Sequence, residues 1–184
     1  MRGRLFAVAA ATVITGMVAP CGSSNTTDQG VSVASPGVIQ LTSSDFVTGG
    51  TMPTDTTCSG ADAPPELRWS GGPQAAEYAL TVIDKDARGF VHWLVWGIPG
   101  TEQGLAPGAL PEGAVEGRNS FGTDGYRGPC PPPGESPHRY VFTIYALGQS
   151  RAGELRAGAS IEDFYRAVNG FVLATGTLTG TFGR

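Results

Sequence analysis

Apolar positions fall into six runs with the period of strands and one with the period of a helix. Val38–Leu41 and Glu66–Trp69 are short extended pieces, parted by the turn-rich stretch 48–57 and the loop CSGADAPP at 58–65. Gly71-Gly72-Pro73 breaks the chain before Tyr78–Ile83, a strand that runs into Asp84-Lys85-Asp86. Phe90–Ile98 is apolar on both faces apart from His92, which is the pattern of a central strand buried on both sides. Residues 100–117 form a Gly/Pro/Ala-rich connection, Arg139–Leu147 alternates as a strand, and Phe171–Phe182 is a last strand rich in Thr and small residues. The single helical signal is Ser160–Asn169. Ser160 can N-cap with Asp163 three residues on, Ile161, Phe164, Tyr165 and Val168 share a face, and Gly170 ends it. No internal repeat or heptad is present. The pattern predicts a mainly β domain with one short helix towards the C-terminus.

One long interruption stands out. From Gly117 to Pro137 the chain carries Gly122, Gly125 and Gly128 and then Pro129, Pro131, Pro132 and Pro133. Regular structure is excluded there, because the prolines fix φ and remove donors. Loops of this length in a compact domain are functional or disordered. The prolines and the aromatics Phe121 and Tyr126 predict an ordered one. It delivers His138 and Tyr140 onto the start of a strand, two apart and so on one side, facing one cavity.

Composition narrows the class. Charged residues are 15% and hydrophobic ones 40%, which fits neither a disordered chain nor a membrane-spanning one. A net charge of −4 with scattered arginines gives no footprint for nucleic acid. The 28 glycines and 14 prolines agree with a turn-rich β protein.

The N-terminus predicts export. Arg2 and Arg4 precede the apolar stretch Leu5–Val18, which has signal-peptide length, and a polar Ser/Thr/Gly tether follows. The division expected is a signal at 1–20, a flexible tether at 21–37 and a folded domain at 38–184. Val18-Ala19-Pro20-Cys21 resembles the lipobox of bacterial lipoproteins, in which the cysteine is lipidated; Pro20 stands where that motif has Gly, Ala or Ser. The expected location is the bacterial cell membrane surface, with secretion as the alternative. Lipid on Cys21 would leave Cys58 and Cys130 as an even pair, and in an oxidising compartment they would join. Two buried free thiols are the other possibility, and geometry decides between them.

Three sets of polar groups remain. Asp84 and Asp86 sit two apart at a strand end, His92 interrupts an apolar strand, and His138 and Tyr140 open another. Singly, each has an ordinary structural explanation: a turn cap, a satisfied core histidine, packing. Together, two acids, both histidines of the chain and a phenol beside a stiff loop make a concave polar site.

These residues also carry a resemblance. CSGADAPPELRWSG (58–71), DKDA (84–87), VHWLVWGIP (91–99), GRNSFGTDGYRGPCPPPG (117–134), PHRYVFTIYAL (137–147) and LATGTLTGTFGR (173–184) resemble, in order, the phosphatidylethanolamine-binding proteins, in their bacterial, Raf-kinase-inhibitor-like branch. The likeness runs from about residue 38 to 184. Lys85 stands where the family often has Pro, and Phe171 where many bacterial members have His. The resemblance implies two antiparallel sheets in Greek-key style with a short helix near the C-terminus. It also implies a pocket for a small anion, phosphate or a phosphoethanolamine headgroup, lined by Asp84, Asp86, His92, His138 and Tyr140 with loop backbone near Gly134.

Imidazole N–H, phenol O–H and loop amides are donors suited to phosphate. The carboxylates fit in two ways: an acid beside a histidine favours imidazolium, and an acid can accept from a protonated phosphate or an ammonium. The expected ligand is zwitterionic or singly charged and is bound without turnover, and no cofactor or metal is expected. An extracytoplasmic hydrolase using the Asp/His/Tyr cluster is the alternative, with Ser120 as a nucleophile by residue type only; no Gly-x-Ser-x-Gly or His-Glu-x-x-His occurs. A module that inhibits a kinase, protease or other partner is a third class.

Overall fold

In a computed structural model, the structure describes residues 37–184. The export signal, most of the tether and Cys21 lie outside the described residues. Eight strands occur in the order β1 Gly37–Thr42, β2 Leu67–Gly71, β3 Glu77–Asp84, β4 Phe90–Pro99, β5 Gly104–Leu105, β6 Val115–Glu116, β7 His138–Leu147 and β8 Val172–Phe182. Among the described residues one α-helix, α1, spans Ile161–Val168. The two-residue strands β5 and β6 lie in the connection that the sequence pattern left without structure. They are too short to show a period.

The strands form one sheet, ordered β5-β2-β1-β8-β7-β3-β4-β6. Two sheets were expected from the resemblance, and β1 is the reason there is one. Its first residues pair in parallel with β8 (Gly37↔Ala174, Val38↔Thr175), and its later ones pair antiparallel with β2 (Ile39↔Gly71 to Thr42↔Arg68). One strand thus belongs to both halves, and the sheet is mixed. The sheet also curls. Trp69 on β2 packs against Tyr78 on β3 with ring centroids 5.3 Å apart, although three strands separate them in the sheet order.

The inside of the curl is the main core, containing Ile39, Leu67, Leu80, Trp93, Phe142 and Leu178. A smaller core lies on the outer face, where Ala79, Leu94, Trp96 and Leu147 meet Phe164 and Val168 of α1. This explains the unbroken apolar reading of the central strands: all eight residues of β3 are buried because both of its faces are covered. The helix begins as its sequence predicts. The Ser160 hydroxyl accepts from the Asp163 N–H at 3.2 Å, and the Asp163 carboxylate reaches back to the Ser160 N–H, a capping box. Phe164 is fully buried, which stabilises by roughly 1.5–3 kcal/mol, whereas Tyr165 stays 43% exposed.

The long loop is ordered by bonds at both ends. Asn119 is buried, donating to the Gly125 carbonyl and accepting from the Phe121 and Thr123 amides. Cys58 and Cys130 form a disulfide, with Cα atoms 5.4 Å apart. Around it the Tyr126 hydroxyl donates to the Thr56 carbonyl at 2.6 Å, and the Gly128 N–H donates to the Asp62 carboxylate at 2.6 Å. The Cys58 loop and the proline-rich loop therefore act as one platform beside the ends of β3, β4 and β7.

Candidate functional site

The strand register brings the polar residues together. Asp84, the last residue of β3, pairs with Tyr140 on β7. His138 lies two residues before Tyr140, on the same side of β7, and the two rings stack with centroids 6.5 Å apart and 26° between planes. His92 arrives by another route. Val82 pairs with Trp93, but Ile83 pairs with Val91, so His92 is the extra residue of a bulge. The bulge lets its ring meet the Tyr140 ring edge-on at 5.1 Å.

Asp84 has two duties. Its Oδ1 accepts from the Asp86 and Ala87 N–H groups at 2.8 and 3.1 Å, closing the β3–β4 turn. Its Oδ2 lies 2.8 Å from His138 Nδ1. On the other side of the ring, His138 Nε2 is 3.1 Å from Glu135 Oε2. Protonated, the imidazole donates to both acids. The hydrogen bond to Asp84 is the main cause that raises its pKa above the ordinary histidine value; Glu135 adds to it.

His92 is the opposite case. It is 3% exposed, and burial lowers its pKa, so the ring is neutral. Its Nδ1–H donates to the Arg127 carbonyl at 2.7 Å. His92 therefore offers the site a ring face and no free Nδ1 proton. Tyr140 is fully buried, and burial raises its pKa, so the phenol keeps its proton. No hydrogen bond of ordinary geometry reaches that hydroxyl, although the Asp84 carboxylate is near enough to help raise its pKa. An unpaired buried hydroxyl costs on the order of 1–3 kcal/mol.

Asp86 stands at the rim. Arg139 holds it three ways: the Arg139 backbone N–H and Nε donate to Oδ2 at 2.8 and 3.0 Å, and Nη2 donates to Oδ1 at 2.6 Å. These bonds push its pKa down to about 2. Gly134 sits on the approaching loop with φ +85°, and its N–H donates to the Arg184 carbonyl at 3.0 Å. An open hollow of about 360 Å³ lies in front, lined by Asp86, Glu135, Ser136, Pro137, His138 and Arg139.

The structure thus gathers Asp84, His138 and Tyr140, sets His92 behind Tyr140, ties Asp86 to Arg139 and leaves Gly134 beside the loop crest. Sequence reasoning missed Glu135 and Arg139. The signal for Glu135 was its place three residues before His138; Arg139 hid in the polar phase of a strand. Ser120 is occupied structurally: its Oγ accepts from the Val91 N–H at 2.9 Å and its N–H donates to the Val91 carbonyl at 2.8 Å. Among the described residues no group of three or more His, Cys, Asp or Glu side chains is placed to hold a metal ion. Chemically, the arrangement holds an imidazolium whose two N–H groups meet Asp84 and Glu135, beside a buried phenol O–H without a partner. An anion that displaced Glu135 would meet the imidazolium, and the remaining carboxylates would favour one that carries a proton or a nearby cation.

Known proteins share this chain's pattern. The family model for phosphatidylethanolamine-binding protein matches residues 42–183. A UPF0098 protein of Methanothermobacter thermautotrophicus is 42% identical over 143 residues, covering 73% of this chain and 92% of that protein. LppC of Mycobacterium tuberculosis, named as a lipoprotein, is 39% identical over 146 residues, covering 78% and 72%. The crystal structure of Escherichia coli YbcL superposes with a TM-score of 0.74 at 33% identity, covering 79% of this chain and 98% of that one.

Proposed function

The chain belongs to the phosphatidylethanolamine-binding protein family, and on that footing we propose that it binds a small phosphorylated ligand at the mouth of the curled sheet. One observation carries the reading: a buried Tyr140 hydroxyl without a partner, stacked beside a histidine whose protonated form is favoured. A phosphate oxygen supplies the partner that the Tyr140 hydroxyl lacks. It accepts from the Tyr140 O–H and from His138 Nε2–H, and such charge-assisted bonds are the strong ones. Asp84 acts through His138, fixing the ring and its charge. His92 forms the back wall. The carboxylates close by favour a ligand that is not a bare dianion, such as a phosphoethanolamine headgroup.

We further propose that the protein is exported and held at the membrane by lipid on Cys21. Supporting this are the apolar N-terminal stretch, the lipobox-like run before Cys21 and the lipoprotein name of the LppC relative. Cys21→Ala would then move the protein from the membrane to the soluble fraction.

Calorimetric titration with inorganic phosphate and with phosphoethanolamine tests the binding reading, with His138→Ala alongside. Saturable binding that the substitution abolishes is the expected result. No binding of either ligand, or binding indifferent to His138, overturns it and directs attention to protein partners.

A further inference from the structure

Glu135 has no part in the reading above, yet it occupies its centre. The carboxylate stands on His138 Nε2, the atom to which a phosphate oxygen would bind. Its backbone is fixed: the Glu135 N–H donates to the Pro132 carbonyl at 3.3 Å, and Gly134 is tied to Arg184, whose Nε donates to the Pro131 carbonyl at 2.7 Å. Its side chain is not fixed, being 55% exposed and lining the open hollow. The other acids at the mouth are committed. Asp84 is buried against His138 and the β3–β4 turn, and Asp86 is clamped by Arg139. Glu135 is therefore the carboxylate that can leave one cation and accept another.

We propose that Glu135 is a selectivity residue: it holds the anion position on His138 until a ligand displaces it, and it then pairs with a cationic group on that ligand. This rests on the phosphate-binding reading. The ligand is of the class already proposed, a phosphate ester with a protonated amine a few bonds away; what is added is the residue that selects it. Inorganic phosphate displaces Glu135 without giving it a new partner and leaves two anions side by side. A phosphate ester with an ammonium group relieves that repulsion.

The test uses the full chain, Glu135→Gln and His138→Gln, titrated with inorganic phosphate and with phosphoethanolamine. Exposed charge pairs are weak, so the effect is modest. Glu135→Gln should tighten phosphate binding roughly threefold to fivefold while leaving phosphoethanolamine binding unchanged or weaker, so the preference narrows. An unchanged preference overturns the proposal. Failure of the wild-type chain to bind either ligand overturns the phosphate-binding reading itself and this proposal with it.

A ligand-free measurement tests the contact directly. His138 faces Asp84 from β3, Tyr140 from β7 and Glu135 from the loop, with Asp86 and Arg139 at the rim. Its NMR titration should move downward in Glu135→Gln, and an unmoved titration removes the contact on which the proposal stands. Vesicles containing phosphatidylethanolamine, competed with free phosphoethanolamine, separate a lipid-borne headgroup from a soluble one; either source satisfies the proposal, and competition by neither defeats it.

Discussion

At one end of β3 Glu77 is 2% exposed, and at the other Asp84 is 3% exposed. A buried acid must be compensated, and the two ends do so differently. Glu77 accepts from the Gly97 N–H at 2.9 Å, the Ser150 hydroxyl at 2.6 Å, the Arg151 N–H at 2.9 Å and the Ala152 N–H at 3.1 Å. Every donor there belongs to the framework, and none titrates near neutral pH. Asp84 accepts two turn amides and then a histidine, whose own second nitrogen meets a half-exposed acid beside an unpaired phenol. One end is saturated and structural. The other keeps exchangeable partners. Burial of a carboxylate does not by itself mark a functional site; what distinguishes the two is whether a partner can be exchanged.

The largest effect should come from breaking the saturated end. Glu77→Ala strands several buried donors and should cost ~3–5 kcal/mol of stability by chemical denaturation. A loss below ~1 kcal/mol would mean that water or neighbours satisfy those donors easily. Asp84→Asn sharpens the contrast. The amide keeps an oxygen for the turn, so stability should fall by only about 1–2 kcal/mol. Phosphoethanolamine binding should nevertheless weaken at least tenfold in calorimetry, because His138 loses the charge that fixes it.

The pH dependence separates the two histidines. His138 has a raised native pKa, so its stabilisation is complete below the unfolded value of about 6.5 and is lost as pH rises through the native value. His92 has a lowered one, so its contribution is complete above about 6.5 and is lost as pH falls towards its native value. The stability gap between wild type and His138→Gln should therefore shrink on going from acid to alkaline conditions. A gap that widened would reverse the assigned direction. The last change should cost no stability and is the most diagnostic. Tyr140→Phe removes a buried hydroxyl that has no partner and should raise stability by about 1 kcal/mol, the lower end of what its burial costs. Ligand binding should still weaken several-fold. A large stability loss instead would mean that the hydroxyl is bonded in solution.

The sequence made some of this legible and hid the rest for physical reasons. β3, β4, β7 and α1 were readable because burial on both faces leaves unbroken apolar runs in Tyr78–Ile83 and Phe90–Ile98, and burial on one face leaves a period in Arg139–Leu147 and Ile161–Val168. The single sheet was not, because β1's change of partner between Val38 and Ile39 leaves no trace in side-chain type. His138 and Tyr140 could be placed on one face by spacing alone. The route of His92 could not, since a bulge in a strand apolar on both sides is invisible to the pattern. Asp86 and Asp84 look equivalent in sequence, and only the clamp of Arg139 tells them apart. Glu77 was overlooked because an acid at the edge of an apolar run reads as the end of the strand.

The Cys58–Cys130 bond spans 72 residues of sequence and encloses β2 to β6. A protease that cuts once anywhere inside that span, for instance in the exposed Gly/Pro-rich connection after β5, would not release a fragment. The two pieces would remain one covalent molecule, migrating together until a reductant is added, with β3 and β4 still hydrogen-bonded in place. Nicking at that surface would leave the mouth of the domain assembled.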